Sequence, residues 1–172
     1  MGNRFIKEGQ LIYLKSPGFN ELDEVAKLWS DEATMKEVGG AVVFKKERYQ
    51  DWYQRMINPG DGKNHYCLIY NNQNKVVGEV SFHRFNSDEK SAEFNIKIYD
   101  SQRGKGYAKE AMFLMLDYYF NEFGGESILD EVINIKGQQA LIKFGFEEVK
   151  VTEQGVLFRM TKTNFQRLIG YF

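Results

Sequence analysis

The feature that most constrains this chain is the stretch Ser101-Gln102-Arg103-Gly104-Lys105-Gly106-Tyr107-Ala108. It sets a glycine-rich, basic turn between a strand-like run, Phe94 to Tyr99, and a strongly amphipathic run, Ala108 to Phe123. Glycines let the backbone approach a ligand closely, and the start of a helix adds partial positive charge. Several backbone N–H groups can then converge on one anion, so the turn is read as the grip on a phosphorylated ligand. Two familiar phosphate loops do not fit the spelling. Lys105 is followed by Gly106 where a Walker loop needs Ser or Thr. The dinucleotide fingerprint would start at Gly104 and Gly106 but meets Lys109 at its third glycine.

A second segment lies downstream. Asn134 is followed by Gly137, Ala140, Leu141 and Phe144, then Gly145-Phe146. Ala140, Leu141 and Phe144 are expected on one face of a short helix, with Asn134 as its cap and Gly145 as its stop. Arg103-x-x-Gly106-x-Ala108 resembles the acetyl-CoA pyrophosphate loop of the GNAT superfamily of N-acetyltransferases. The Asn134 to Phe146 segment resembles that superfamily's later motif, in the same order and with a strand candidate, Ser127 to Ile133, between the two. A plain Gly-rich connection and a capped helix on a sheet account for each segment alone; their ordered conjunction carries the resemblance. Leu11-Ile12-Tyr13-Leu14, Pro17, Leu28-Trp29-Ser30-Asp31 and Met35 are similar to the opening of the ribosomal-protein N-terminal acetyltransferase branch. Ser91 to Ile96, followed by the glycine turn, is similar to bacterial spermidine acetyltransferases.

The remaining elements follow from periodicity. A strand is expected at Leu11 to Lys15, then a helix carrying Leu22, Val25, Ala26, Leu28 and Trp29, then helical structure from Lys46 to Ile57. Asn58-Pro59-Gly60-Asp61-Gly62 breaks the chain. Strands are expected at His65 to Tyr70, Val76 to Phe85 and Ser91 to Tyr99, separated by hairpin turns at Asn71 to Asn74 and Asn86 to Asp88. Late strands at Glu147 to Val151 and Val156 to Thr161 precede a helix from Asn164 to Ile169. Antiparallel strands followed by a β-α-β-α-β half give an α+β, mixed α/β class. The resemblance implies one GNAT-like domain over residues 1–172: a central, mostly antiparallel twisted sheet of about seven strands, splayed at the cofactor site and flanked by helices.

Composition narrows the function. A net charge of −1 gives no electrostatic case for nucleic acid. A single cysteine, Cys67, excludes an internal disulfide and a Cys-rich metal site, and its alternating surroundings mark it as a strand residue. No run is long and apolar enough to span a membrane. The start Met1-Gly2-Asn3-Arg4 does not read as a secretory signal, and Ile6 makes Gly2 a poor myristoylation site, so a soluble cytoplasmic protein is expected. His65 and His83 lack ligand-like spacing, and no G-x-S-x-G elbow is present. Exposed aromatics could support a homodimer, although a Phe- and Tyr-rich core explains the same content.

The resemblance implies acetyl-CoA as co-substrate and a primary amine, a protein N-terminus or a small amine such as a polyamine, as acceptor. Arg103, Gly104, Lys105, Gly106, Tyr107 and Ala108 are implied to hold the pyrophosphate. Backbone groups near Ile96 and Ile98 are implied to pair with the pantetheine arm, and Asn134 to make a further cofactor contact. An amine with a pKa of roughly 10 must lose a proton before it attacks. Glu93 and Asn95 share a strand face turned away from Phe94 and Ile96, which makes Glu93 the first candidate base, with Glu131 second and Glu79 third. For each, an ordinary solvated carboxylate is the competing reading. The tyrosine that many GNAT enzymes use as general acid, seven residues after the motif Asn, is here Leu141. A leucine donates no proton; water, Tyr99 or Tyr107 could take its place. That departure also leaves open a non-catalytic acyl-CoA-binding module.

Overall fold

Residues 5–170 are described in the computed structural model; the Met1-Gly2-Asn3-Arg4 start, on which the reading of the N-terminus rests, lies outside them. Among these residues eight strands build one sheet: β1 (Ile6–Glu8), β2 (Ile12–Lys15), β3 (His65–Asn71), β4 (Val76–Asn86), β5 (Ser91–Ile98), β6 (Ser127–Val132), β7 (Glu147–Thr152) and β8 (Gly155–Thr161). Their order is β1-β2-β3-β4-β5-β6-β8-β7, and β5–β6 is the parallel pair in an otherwise antiparallel sheet. The mixed architecture is as expected, with one strand more. Ile6-Lys7-Glu8 presents no buried alternation to read; its place is set by pairing with β2 and by Lys7, which reaches Asp117 at 2.5 Å and Glu122 at 2.9 Å.

Side-chain alternation assigns the two faces. On β3, Cys67 and Ile69 enter one apolar cluster, while Tyr66, Leu68 and Tyr70 enter another. The first cluster is closed by α4 (Tyr107–Tyr118), α5 (Ile135–Phe144) and α6 (Lys162–Ile169), the second by α1 (Leu22–Trp29) and α3 (Tyr49–Met56). On α1, Leu22, Val25 and Leu28 recur every three residues and are fully buried, each contributing roughly 1.5–3 kcal/mol of transfer free energy. A wide π turn, Tyr119–Phe123, continues α4 and ends at Gly124, whose φ of 105° suits a glycine stop. A short α2 (Glu32–Met35), which no periodicity announces, is nucleated by Asp31: its carboxylate accepts from Thr34 N at 3.1 Å.

The predicted hairpin turns close through asparagine side chains. Asn71 Oδ1 accepts from the N–H groups of Gln73 and Lys75, and Asn86 Oδ1 from those of Asp88 and Glu89.

One register detail positions the site. β5 and β6 pair at Ser91–Ser127, Ala92–Ile128 and Glu93–Leu129, and no further. Beyond that point β5 still pairs with β4 as far as Gly78–Ile98, and β6 with β8 as far as Val132–Val156. The two central strands therefore diverge into a fork open on the side of the glycine turn.

Candidate active site

The fork is bordered by the end of β5, the end of β6 and the start of α4. Gly104 and Gly106 have φ of 80° and 84°, the left-handed region that other side chains rarely adopt. Nothing lies within 4 Å of a Cβ built on Gly104, and a Cβ on Gly106 would meet Leu11 Cδ1 at 3.4 Å. Gly106 occupies the N-cap position of α4 and so supplies no side-chain cap. The first-turn N–H groups of a helix have no intrahelical acceptor, and here they open onto space kept clear by glycine, a cradle suited to a phosphate.

The helix start is held from behind. Glu110 accepts backbone N–H bonds from Gln10, from Leu11 at 2.8 Å and from Ile12 at 3.0 Å. Three such bonds to one carboxylate seat α4 on β2. Arg103 is held too: it donates to Ile98 O at 3.3 Å, Thr34 O at 3.4 Å and Asp100 Oδ1 at 3.1 Å. Thr34 Oγ1 in turn accepts from Asp100 N at 2.9 Å. Arg103 thus braces the turn against α2, while Lys105 stays exposed, donating to Gln102 Oε1 at 2.9 Å. Tyr107 and Ala108 pack partly against the core. Ile96 and Ile98 lie on the β5 segment that has lost its β6 neighbour.

Asn134 caps α5, accepting from Gly137 N at 2.6 Å, and Gly145 ends the helix with φ of 125°. Leu141 and Phe144 are buried as expected, but Ala140 is exposed. The helical repeat aligns Gly137, Leu141 and Phe144 and carries Ala140 off that face. Leu141 is 3% exposed in the core, so no proton donor stands at its position. Burial pushes the Tyr99 phenol up to about 12, and its hydroxyl is buried without a hydrogen-bond partner among the described residues.

On the α1–α3 face of the sheet, a cleft of about 950 Å³ reaches the fork. Its floor is the polar ladder Glu79–Lys97, Ser81–Asn95 and His83–Glu93 across β4 and β5. Glu79 is 1% exposed. It accepts from Trp29 Nε1 at 2.8 Å, the Tyr66 hydroxyl, Asn95 Nδ2 at 3.1 Å and Lys97 Nζ at 2.9 Å. Burial pushes its carboxyl up, but Lys97 and these donors outweigh that and hold it below the usual range. With every lone-pair direction used, Glu79 is a structural anchor for the cleft floor.

The other predicted carboxylates are placed differently. Glu93 is exposed on the rim and ion-paired to Arg84 at 2.5 Å. Glu131 is exposed on β6 and lines the cleft. Next to Glu131 on β6 is Asp130, which no sequence pattern singles out. It is the first β6 residue beyond the last parallel pair, and it lines the cleft at the fork. Burial pushes its carboxyl up to about 7, with Lys97 pulling down and Glu93 pushing up. Only the end of the strand pairing singles it out, and no local pattern reports where pairing stops. His65 is enclosed by Phe5, Phe82 and Tyr118, and burial lowers its pKa to about 4. Cys67 is buried, its thiol pushed up to about 12. Both are packing residues.

Comparison with known proteins agrees with this fold. The family model described as the acetyltransferase (GNAT) domain matches residues 12–166. Among solved structures, the chain is similar to the spermidine N-acetyltransferase from Vibrio cholerae in complex with CoA and spermine: 19% identity over 91% of this chain and 98% of that one, TM-score 0.78. It is also similar to a GNAT-family acetyltransferase from Bacillus anthracis: 20% identity, 92% and 99% coverage, TM-score 0.73. At these identities the likeness concerns the fold. No curated protein matches the chain.

Proposed function

The chain belongs to the GNAT acetyltransferase family, and we propose that it moves the acetyl group of acetyl-CoA to a primary amine bound in the cleft beside the β5–β6 fork. Membership places it with the acyltransferases, and acetyl-CoA is the acyl donor. The observation that carries the reading is the fork itself: parallel pairing stops after Glu93–Leu129, next to an uncapped helix start cleared by two glycines.

The thioester supplies an activated acetyl carbon, and this chain's residues position and deprotonate. Backbone N–H groups of Gly104 to Ala108 receive the pyrophosphate, and Lys105 adds charge from the surface. Arg103 keeps the turn in place through Thr34 and Asp100. The free edge of β5 around Ile96 and Ile98 orients the pantetheine arm, and Asn134 borders it. Asp130 takes the proton of the acceptor ammonium. The freed amine forms a C–N bond to the acetyl carbon as the C–S bond breaks, the electron pair leaves with sulfur, and the nitrogen gives its second proton to water. Leu141 offers no proton, so the thiolate, whose thiol has a pKa of about 8.5, leaves as such or is protonated by water.

A second reading narrows the acceptor to a polyamine, favoured by likeness to a protein solved with spermine. Against it, the carboxylates that could have formed an acidic trough are dispersed. Asp23 accepts from the Tyr49 hydroxyl, Glu37 lies by Arg103, and Glu79 is saturated. The test is thiol release from acetyl-CoA in the presence and absence of amines, with the acetylated product identified by mass. Amine-dependent release supports transfer; acetyl-CoA binding without release on any amine overturns it.

A further inference from the structure

Two ion pairs cancel most of the charge around the cleft: Glu79 with Lys97, and Glu93 with Arg84. Three other charged side chains line it: Asp130 and Glu131 on β6, and Arg55 on α3. None of the three has a hydrogen-bond or ion-pair partner among the described residues. The unmatched charge is therefore separated by sign, carboxylates at the fork and a guanidinium on the α3 wall. Beyond Arg55 a second hollow of about 330 Å³ shares Trp29, Trp52 and Arg55 with the cleft. Lys45 and Arg48 line it as well, against one carboxylate, Asp51. The cationic excess grows away from the fork.

We propose that the acceptor is an amine that carries its own carboxylate, seated with its ammonium at the fork end of the cleft, where Asp130 and Glu131 lie, and its carboxylate at Arg55. This rests on the amine-acetylation reading above and narrows its substrate class. A guanidinium meets a carboxylate through two parallel N–H donors, which fixes orientation as well as charge. The indoles of Trp29 and Trp52 wall the path between the two ends. A linear polycation would instead bring positive charge against Arg55, Lys45 and Arg48, a like-charge contact that excludes wrong partners. A free amino acid and a peptide N-terminus followed by Asp or Glu share the required chemistry.

The experiment measures kcat/KM at saturating acetyl-CoA for four acceptors: free glutamate, the amidated peptides Ala-Glu-Ala and Ala-Lys-Ala, and spermidine. One of the two acid-bearing acceptors is expected to exceed both cationic ones by about tenfold or more, and which one does so separates the two sources. Arg55→Glu, on an exposed helix position where the fold is retained, is expected to bring that ratio to unity or below. Preference for spermidine or for the Lys peptide overturns the proposal while leaving amine acetylation intact. An unchanged ratio in Arg55→Glu overturns it too. No turnover of any amine removes both.

Discussion

Replacing Asp130 by Asn tests the assignment of the proton acceptor through two independent readouts. The carboxyl is pushed from its usual 3.8 up to about 7 by burial. With a pKa of about 7 the ionised fraction is about 10% at pH 6 and about 90% at pH 8. The ratio of wild-type to Asp130→Asn rate should therefore rise about tenfold across that window, and the acceptor's own titration cancels from the ratio. Stability moves in the opposite sense. Because the native state holds this proton more tightly than the unfolded chain, native stability falls as pH rises from about 4 to about 7, and the penalty is complete above that. A shift of about three units corresponds to at most about 4 kcal/mol, and the open cleft reduces this to roughly 1–2 kcal/mol. Asp130→Asn should thus melt about 2–8 °C above wild type at pH 8 and match it near pH 4. Thiol-release assays from pH 5.5 to 8.5 and thermal melts at both pH values measure the two effects. A rate ratio that stays flat with pH, with no gain in melting temperature at pH 8, would refute the reasoning.

Other substitutions probe the frame. Glu79→Ala leaves Lys97 without its buried partner and should cost about 3–5 kcal/mol by urea unfolding. Since Glu79 is held below its usual range, its contribution is present at neutral pH and is lost as pH falls through its native pKa, so wild type should lose stability on the acid side of pH 4.5 more steeply than Glu79→Gln. Gly106→Ala places a methyl group where φ is 84°; it should destabilise by about 1–2 kcal/mol and weaken acetyl-CoA binding about tenfold or more in calorimetric titration. Glu110→Gln weakens three charge-assisted bonds to the start of β2 and should lower stability by about 1–3 kcal/mol, measured by chemical denaturation.

What the sequence made legible was whatever leaves a local trace. Leu22, Val25 and Leu28 repeat at helical spacing, β3 alternates between two faces, and Asn134 and Gly145 bracket a helix with capping chemistry. Gly104 and Gly106 mark a turn that needs positive φ, and that turn lies at the fork. Less legible were features fixed by distant partners. β1 depends on β2 and on Lys7 meeting Asp117. Arg103 looks like a phosphate ligand in sequence, and no local pattern reports that its guanidinium also donates to Thr34 and Asp100, because α2 folds back onto the turn. Strand alternation singles out Glu93, while its ion pair with Arg84 comes from the neighbouring strand. Asp130 carries no local signal, since its environment comes from the loss of pairing between strands separated by an entire helix.

The most direct test of the central claim is calorimetric titration of the purified protein with acetyl-CoA, run beside Gly106→Ala. Saturable one-site binding, weakened at least tenfold in a Gly106→Ala protein that remains folded, is the predicted result. Absence of binding to folded wild type, or identical affinity in the two proteins, would contradict the placement of the donor at the glycine turn and fork.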